Sequence, residues 1–299
     1  MRICRFTESS SSAGAAGLGI VVDAPDEGPL TVADLRASGV GSDLGELLAA
    51  DQNTQRLSGL AEAAPTIQIE RSQLLAPIAR PPEFLAIGLN YRAHVAEGGR
   101  PDPTTPVVFN KQVTCVTGPH SPIHIPAAAP DLVDFEGELG VVIGKRCRHV
   151  PAERAYEVIA GYTVVNDVSV RDWQRASPTM TMGKSWDTHG PVGPWVVTPD
   201  EVPDPMNLDL RTIVDGEVMQ QSNTDKMIFD IATLIAHLST AFTLLPGTII
   251  ATGTPEGVGV YRDPQRMLHP GSTVRIEIDG VGAIENPCIA EPDPVCSIG

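Results

Sequence analysis

The chain has 299 residues, 42% hydrophobic and 19% charged, with 37 acids against 21 bases and a formal net charge of −16. Such a length and composition fit a packed globular protein built as one large domain, or as a small one joined to a large one. The acidic balance argues against nucleic acid and anionic membrane as partners, whereas an anionic small substrate stays open because one metal ion or lysine can dominate a site.

No apolar run approaches the roughly 20 residues that span a bilayer. The opening Met1-Arg2-Ile3-Cys4-Arg5-Phe6 leads into Ser and Gly rather than an apolar signal core, so a cytoplasmic protein is expected. Five cysteines (Cys4, Cys115, Cys147, Cys288 and Cys296) with no Cys-x-x-Cys argue against a disulfide framework or structural zinc.

Residues 1–75 read as a small N-terminal domain and 76–299 as the main one. Short strands over 1–6 and 18–22, joined by the 9–16 loop, suggest a hairpin. Residues 31–50 carry Leu35, Leu44, Leu47 and Leu48 among helix formers, with Thr31 or Ser42 as the N-cap. Ile67-Gln68-Ile69 alternates like an edge strand. Pro77, Pro81 and Pro82 mark a junction, after which residues 84–88 read as a buried strand.

Residues 90–99 then suggest one or two helical turns. That would put His94 and Glu97 at i and i+3 on one face. A carboxylate holding a histidine is the usual arrangement of a general base, and Gly98-Gly99 would end the helix and let it move as a lid. A surface ion pair is the plainer alternative. Residues 106–111 form a strand closing on Lys111. His120 and His124 stand four apart, but Pro122 lies between them and Ser121 replaces the Glu a zinc helix needs.

Glu136 and Glu138 open a strand-forming run that ends at Gly144. Side chains at i and i+2 share a strand face, so the two acids would converge and repel unless one is protonated or a cation sits between them. The alternative is two acids on a solvated face. Residues 161–167 form a β-branched strand that ends in Asp167, a third carboxylate suited to a hard cation such as Mg²⁺ or Mn²⁺ if it meets the other two.

Gly183-Lys184-Ser185 imitates a phosphate loop, but the glycine that motif requires five residues earlier is Pro178. A nucleophile elbow fails as well, because Asp187 stands in place of the second glycine. Residues 208–214 turn back through Asp215-Gly216 as a hairpin. Residues 227–244 carry Ile228, Ile231, Leu234, Ile235 and Leu238 at helical spacing, closed by Pro246-Gly247. A buried strand over 248–251 leads into a Gly-rich loop at 252–259. A last hairpin turns at Asp279-Gly280.

Several of these stretches together resemble one family. They are Asn-Tyr-x-x-His-x-x-Glu at 90–97, Phe-Glu-Gly-Glu-Leu-Gly-Val-Val-Ile-Gly at 135–144 and Asn-Asp-Val-Ser-x-Arg-Asp-x-Gln at 166–174. Gly-Lys-Ser-Trp-Asp-Thr-His-Gly-Pro-Val-Gly-Pro-Trp at 183–195 and Thr-Gly-Thr-Pro-Glu-Gly-Val-Gly at 252–259 complete the set. Their order and content resemble the fumarylacetoacetate hydrolase family over about 75–290. The resemblance implies an α+β, mainly β fold, a mixed β-sandwich roll with a small N-terminal domain, usually as a homodimer. It implies Mg²⁺ or Mn²⁺ on Glu136, Glu138 and Asp167, with Ca²⁺ able to take the place in a crystal. His94 and Glu97 match a water-activating dyad, and Lys184 matches a catalytic cation. Gln174, Lys111, Arg92 and Thr254 match substrate-contacting positions.

Fumarylacetoacetate hydrolase proper has a further Asp ligand where this chain reads Leu89-Asn90-Tyr91. The three-carboxylate subgroup, which acts on 2-oxo and 2,4-dioxo acids, is therefore the closer match. The activity implied is metal-dependent hydrolysis of a C–C bond in a 2,4-dioxo acid, giving pyruvate or another 2-oxo acid and a carboxylic acid. Oxaloacetate decarboxylation and isomerisation of an unsaturated 2-oxo diacid are the alternatives, followed by a non-catalytic binding role. His189 stands where Phe, Cys or Gly is more usual, and the sequence assigns it no role.

Overall fold

Burial with a period of two organises the chain into sheets. Leu139, Val141 and Ile143 enter one apolar cluster while Val142 enters another, and Val164 and Val165 divide the same way. A sheet whose alternate side chains feed different cores must be covered on both faces. Gly137–Ile143, Ile159–Asn166 and Gly190–Val197 are accordingly buried at every residue.

The computed structural model describes residues 1–7, 15–26, 28–50 and 55–292. Its main sheet has 12 strands. In spatial order they run Thr66–Ile69, Leu30–Asp34, Ala16–Asp23, Arg2–Thr7, Gly190–Val197, Ile159–Asn166, Gly137–Ile143, Ile249–Ala251, Phe84–Gly88 and Val107–Lys111, with Leu74–Leu75 and Val116–Thr117 paired off this path. The first four continue the sheet away from the strands of the central region. Pairing is mixed: Ile249–Ala251 runs parallel to Phe84–Gly88 and antiparallel to Gly137–Ile143.

A 5-stranded sheet, Glu217–Asn223, Asp209–Val214, Thr273–Ile278, Gly282–Ala290 and Ile123–Ile125, lies over one face. Trp195 Nε1 donates across the layers to Val281 O at 2.7 Å. At Gly137 a Cβ would come within 2.3 Å of Thr212 Oγ1 and 3.1 Å of Ile276 Cγ2, so glycine sets the closeness of the two sheets there. The fold is the expected α+β, mainly β sandwich roll. Among the described residues, no helix is long and apolar enough to cross a membrane.

Two helix expectations change. Residues 31–50 are not one helix. Leu30–Asp34 is a strand held between two neighbours, with Leu30 and Val32 fully buried. The helix is Leu44–Ala49, and its N-cap is Asp43, neither Thr31 nor Ser42. The helix expected over 227–244 narrows to Ile231–Ala241 under an Asp230 cap. Its would-be first turn is diverted: Ile228 N–H donates to Asn90 O at 2.7 Å and Phe229 N–H to Asn90 Oδ1 at 2.9 Å. Most of the 9–16 loop, and Cys296, fall outside the described residues. Cys4, Cys115, Cys147 and Cys288 are free thiols.

Asp43 does more than cap. Its Oδ1 accepts from Gly45 N–H at 2.8 Å and its Oδ2 from Ala79 N–H at 2.7 Å, joining the helix to the segment that enters the main sheet. Asp43→Ala is expected to destabilise the protein by about 1–3 kcal/mol through loss of both bonds. Urea unfolding should show a lower midpoint at constant slope, and an unmoved midpoint would contradict the assignment.

Candidate active site

Four strands deliver the site because they end on the same side of the main sheet. Gly137 pairs with Asn166, so Glu136, leading into one strand, meets Asp167, leaving its antiparallel neighbour. Asp167 N–H donates to Glu136 O at 2.9 Å and Glu136 N–H to Asn166 Oδ1 at 3.1 Å, which locks the two ends together. The strand Ile249–Ala251 brings up the Gly-rich loop, and Phe84–Gly88 leads to the helix Arg92–Glu97.

The ligand oxygens of Glu136, Glu138 and Asp167 lie within 4.8 Å of one another, and all three residues are buried. Buried cations answer most of this charge. Lys184 Nζ donates to Glu136 Oε2 at 2.6 Å and to Asp167 Oδ2 at 2.7 Å. Lys111 Nζ donates to Asp167 Oδ1 at 2.6 Å and also to Lys184 O. Arg171 donates to Glu136 Oε1 at 2.6 Å and to Asp134 Oδ2 at 2.8 Å. Glu138 alone of the three forms no ion pair among the described residues; its Oε2 accepts from Gly253 N–H at 2.7 Å.

The titration behaviour follows this pairing. Burial opposes ionisation of Glu136, but the charges of Lys184 and Arg171 outweigh it and hold the carboxyl far below the usual range. Burial, then the charges of Asp167 and Glu136, push Glu138 well above it. Three converging hard oxygen donors, one of them lacking a cation, fit Mg²⁺ or Mn²⁺.

Above this floor, His94 Nδ1 lies 2.7 Å from Glu97 Oε1, and Gly257 N–H donates to Glu97 Oε2 at 3.0 Å. With Glu97 ionised, Nδ1 carries the proton and Nε2 is left as the acceptor. The Tyr261 ring stands against His94, with centroids 6.1 Å apart. Gly253 must be glycine: its φ is +105°, and a Cβ would fall 2.6 Å from Asn90 Cβ.

The family described as fumarylacetoacetate (FAA) hydrolase, C-terminal, matches residues 83–289. The chain belongs to the fumarylacetoacetate hydrolase family. A mitochondrial oxaloacetate tautomerase of Xenopus laevis is 45% identical over 218 residues, 72% of this chain and 68% of that protein. Two solved structures are similar along 98% of this chain and 100% of theirs. Maleylpyruvate hydrolase from Sphingobium, in complex with manganese and pyruvate, is 32% identical with a TM-score of 0.78. A 5-carboxymethyl-2-hydroxymuconate delta-isomerase from Mycobacterium smegmatis is 36% identical with a TM-score of 0.75.

Of the residues the family resemblance singled out, Glu136, Glu138, Asp167, Lys184, His94 and Glu97 surround one site. The others differ in placement. Lys111 is buried behind Asp167, with its ammonium engaged by protein acceptors. Thr254 Oγ1 donates to Gly137 O at 3.0 Å and accepts from Gln220 Nε2 at 2.8 Å, so it braces the loop. Gln174 Oε1 accepts from Arg171 at 3.0 Å. The Arg92 side chain is 70% exposed and pairs with Asp102, away from the carboxylates. Asp134, Arg171, Asn90 and Asn166 were not singled out by the sequence for a role here. A buried arginine must be paired, but the burial of Arg171 is not readable from its neighbours in sequence.

His189 is buried beside Trp186, and its Nε2–H donates to His124 O at 2.8 Å. Burial outweighs that hydrogen bond and, with the charge of Lys111, lowers its pKa to about 3 from 6.5. The folded protein therefore keeps His189 neutral where the unfolded chain protonates it. Its contribution is complete above the unfolded value and shrinks as pH falls from there toward the folded one. Between about pH 6.5 and pH 5 it should weaken stability by about 2 kcal/mol, following proton linkage. His189→Gln should flatten that part of the stability–pH curve in urea titrations; an identical slope in both proteins would refute it.

Proposed function

We propose that this protein is a Mg²⁺- or Mn²⁺-dependent hydrolase that cleaves the C3–C4 bond of 2,4-dioxo acids. The products would be pyruvate or another 2-oxo acid, plus a carboxylic acid. The observation that carries the reading is the His94–Glu97 pair, held over the three carboxylates by Gly257 N–H. A site that only enolises a substrate has no need of a water-activating dyad.

Glu136, Glu138 and Asp167 would hold the ion, which when bound supplies electrophilic polarisation of the 2-oxo acid end. His94 Nε2 takes a proton from water while Glu97 stabilises the imidazolium. The resulting hydroxide adds to the distal carbonyl carbon, C4. The C3–C4 bonding pair then moves onto C3 as the enolate of the 2-oxo acid, and the acyl fragment leaves as its carboxylic acid. Lys184 remains an ammonium, because Asp167 and Glu136 outweigh burial in raising its pKa, and it faces the developing enolate charge. The proton held on His94 returns to C3 and resets the dyad.

A second reading is supported by the tautomerase and isomerase names of two relatives. Tautomerisation of a 2-oxo acid or isomerisation of an unsaturated 2-oxo diacid would use the same three acids and Lys184 without the water, and so would oxaloacetate decarboxylation, which rests on the chemistry of the site rather than on those names. A cytoplasmic setting accords with the free thiols, and a homodimer with the family resemblance.

Glu136→Gln is expected to lower Mg²⁺-dependent pyruvate release at least about 100-fold, since metal stabilisation supplies several kcal/mol. Full activity after dialysis against a chelator would sink the metal assignment. His94→Ala should reduce acylpyruvate hydrolysis by about 10²–10⁴-fold, the span of general-base contributions, and leave oxaloacetate decarboxylation far less affected. A panel of acylpyruvates, sugar-derived 2,4-dioxo acids and oxaloacetate, assayed for pyruvate release, measures both. Equal losses would remove the water-activating role.

A further inference from the structure

Asp134 is the one carboxylate of the buried cluster that does not face the prospective ion. It is fully buried, yet it is the most heavily bonded of the acids. Oδ1 accepts from Phe135 N–H at 2.9 Å and Gly259 N–H at 2.8 Å. Oδ2 accepts from Val260 N–H at 3.0 Å and from Arg171 Nε at 2.8 Å. The same guanidinium reaches on to Glu136 and Gln174. Asp134 thus joins two parts of the site that no strand pairing connects. One is the Glu136 carboxylate in the floor. The other is the turn Gly259–Tyr261, whose last residue stands against His94.

The surroundings are built around this anion. A Cβ at Gly259 would sit 2.6 Å from Asp134 Oδ1 and 2.0 Å from Arg266 O, so only glycine admits the approach. Without Asp134, three buried N–H groups would lose their acceptor. Arg171 would turn from a bridge between two acids into a full counter-charge on Glu136, competing with a metal ion for it.

We propose that Asp134 is a positioning residue: through Arg171 it orients Glu136 as a metal ligand, and through Gly259 and Val260 it sets the turn that places Tyr261 against His94. The proposal rests on the metal reading above and adds to it a residue that touches neither ion nor substrate. Partners at this remove tune metal affinity by about 10–100-fold.

The test is Mn²⁺ binding by the substrate-free protein, followed through the electron paramagnetic resonance signal of free Mn²⁺. Asp134→Asn keeps the shape but turns an amide toward donors, and it should raise the Mn²⁺ Kd at least tenfold. Asp134→Asn combined with Arg171→Gln should bind no more weakly than the weaker single variant, because both act along one path. The imidazole resonance of His94, identified by its loss in His94→Ala, should move in Asp134→Asn.

An unchanged Kd, additive losses or a stationary His94 signal would each overturn the proposal. Should Asp134→Asn not fold, Arg171→Lys carries the test. It keeps one charge but cannot span both acids, so it should also bind Mn²⁺ at least tenfold more weakly; wild-type affinity would overturn the proposal. Wild-type protein that fails to bind Mn²⁺ overturns the metal reading, and this one with it. Normal wild-type binding with unaffected variants removes only the role of Asp134.

Discussion

Four carboxylates and three cations are buried together at the end of one sheet, and the rest of the site depends on how they balance. Removing a charge from water costs several kcal/mol even after relaxation, so each acid must be met by a cation or by several N–H donors. Lys111 and Lys184 meet Asp167, Lys184 and Arg171 meet Glu136, and Arg171 meets Asp134. Glu138 is buried beside two like charges with only one backbone N–H to offset them, which is why its proton is held so firmly. Such a cluster is poor evidence for stability, because a well-packed apolar substitute of the same volume is often as good or better. Its value is functional: one more cation would complete it.

Rigidity is distributed accordingly. Glu136, Glu138 and Asp167 sit at or beside the ends of strands buried on both faces, where the ladder Gly137–Asn166 fixes their backbone. A mixed sheet suits the task because antiparallel neighbours bring a strand start and a strand end to one place, so Glu136 and Asp167, 31 residues apart, meet without a long loop. His94 and Glu97 stand instead on a six-residue helix, too short to be stable on its own. That helix is held by a few specific bonds: Glu97 to Gly257, and Asn90 to its neighbours. A firm carboxylate floor beneath a lightly held helix suits the chemistry proposed above, in which substrate enters past His94 and water is then kept out.

The sequence was most legible where local pattern and chemistry coincide. The strands flanking Glu136 and Asp167, the i, i+3 spacing of His94 and Glu97, and the hairpins at Asp215-Gly216 and Asp279-Gly280 all follow from short-range periodicity. Convergence of the acids with Lys184 did not follow from spacing; it came from the joint resemblance of motifs far apart in the chain. The helix misreadings have a common cause, because a leucine-rich segment satisfies strand and helix alike until its partners are known. Thr31 and Val32 were claimed by two neighbouring strands, and Ile228 and Phe229 by Asn90. Buried support such as Asp134, Arg171 and Asn166 carries no local signature. Its meaning depends on contacts between segments up to about 125 residues apart, as between Asp134 and Gly259.

Asn90 holds a position that an acid could not fill in the same way. Its Nδ2 donates to Thr252 O at 2.7 Å and Phe229 O at 3.0 Å, while its Oδ1 accepts from Phe229 N–H at 2.9 Å. Only an amide both donates and accepts in this way. An aspartate could keep the bond from Phe229 N–H, but it would strand two carbonyls and put another charge beside Glu138. Asn90 thereby staples the approach to the His94 helix onto both the Gly-rich loop and the Ile228-Phe229 segment. The amide thus anchors the chain just before the His94 helix without adding a charge to the buried acids.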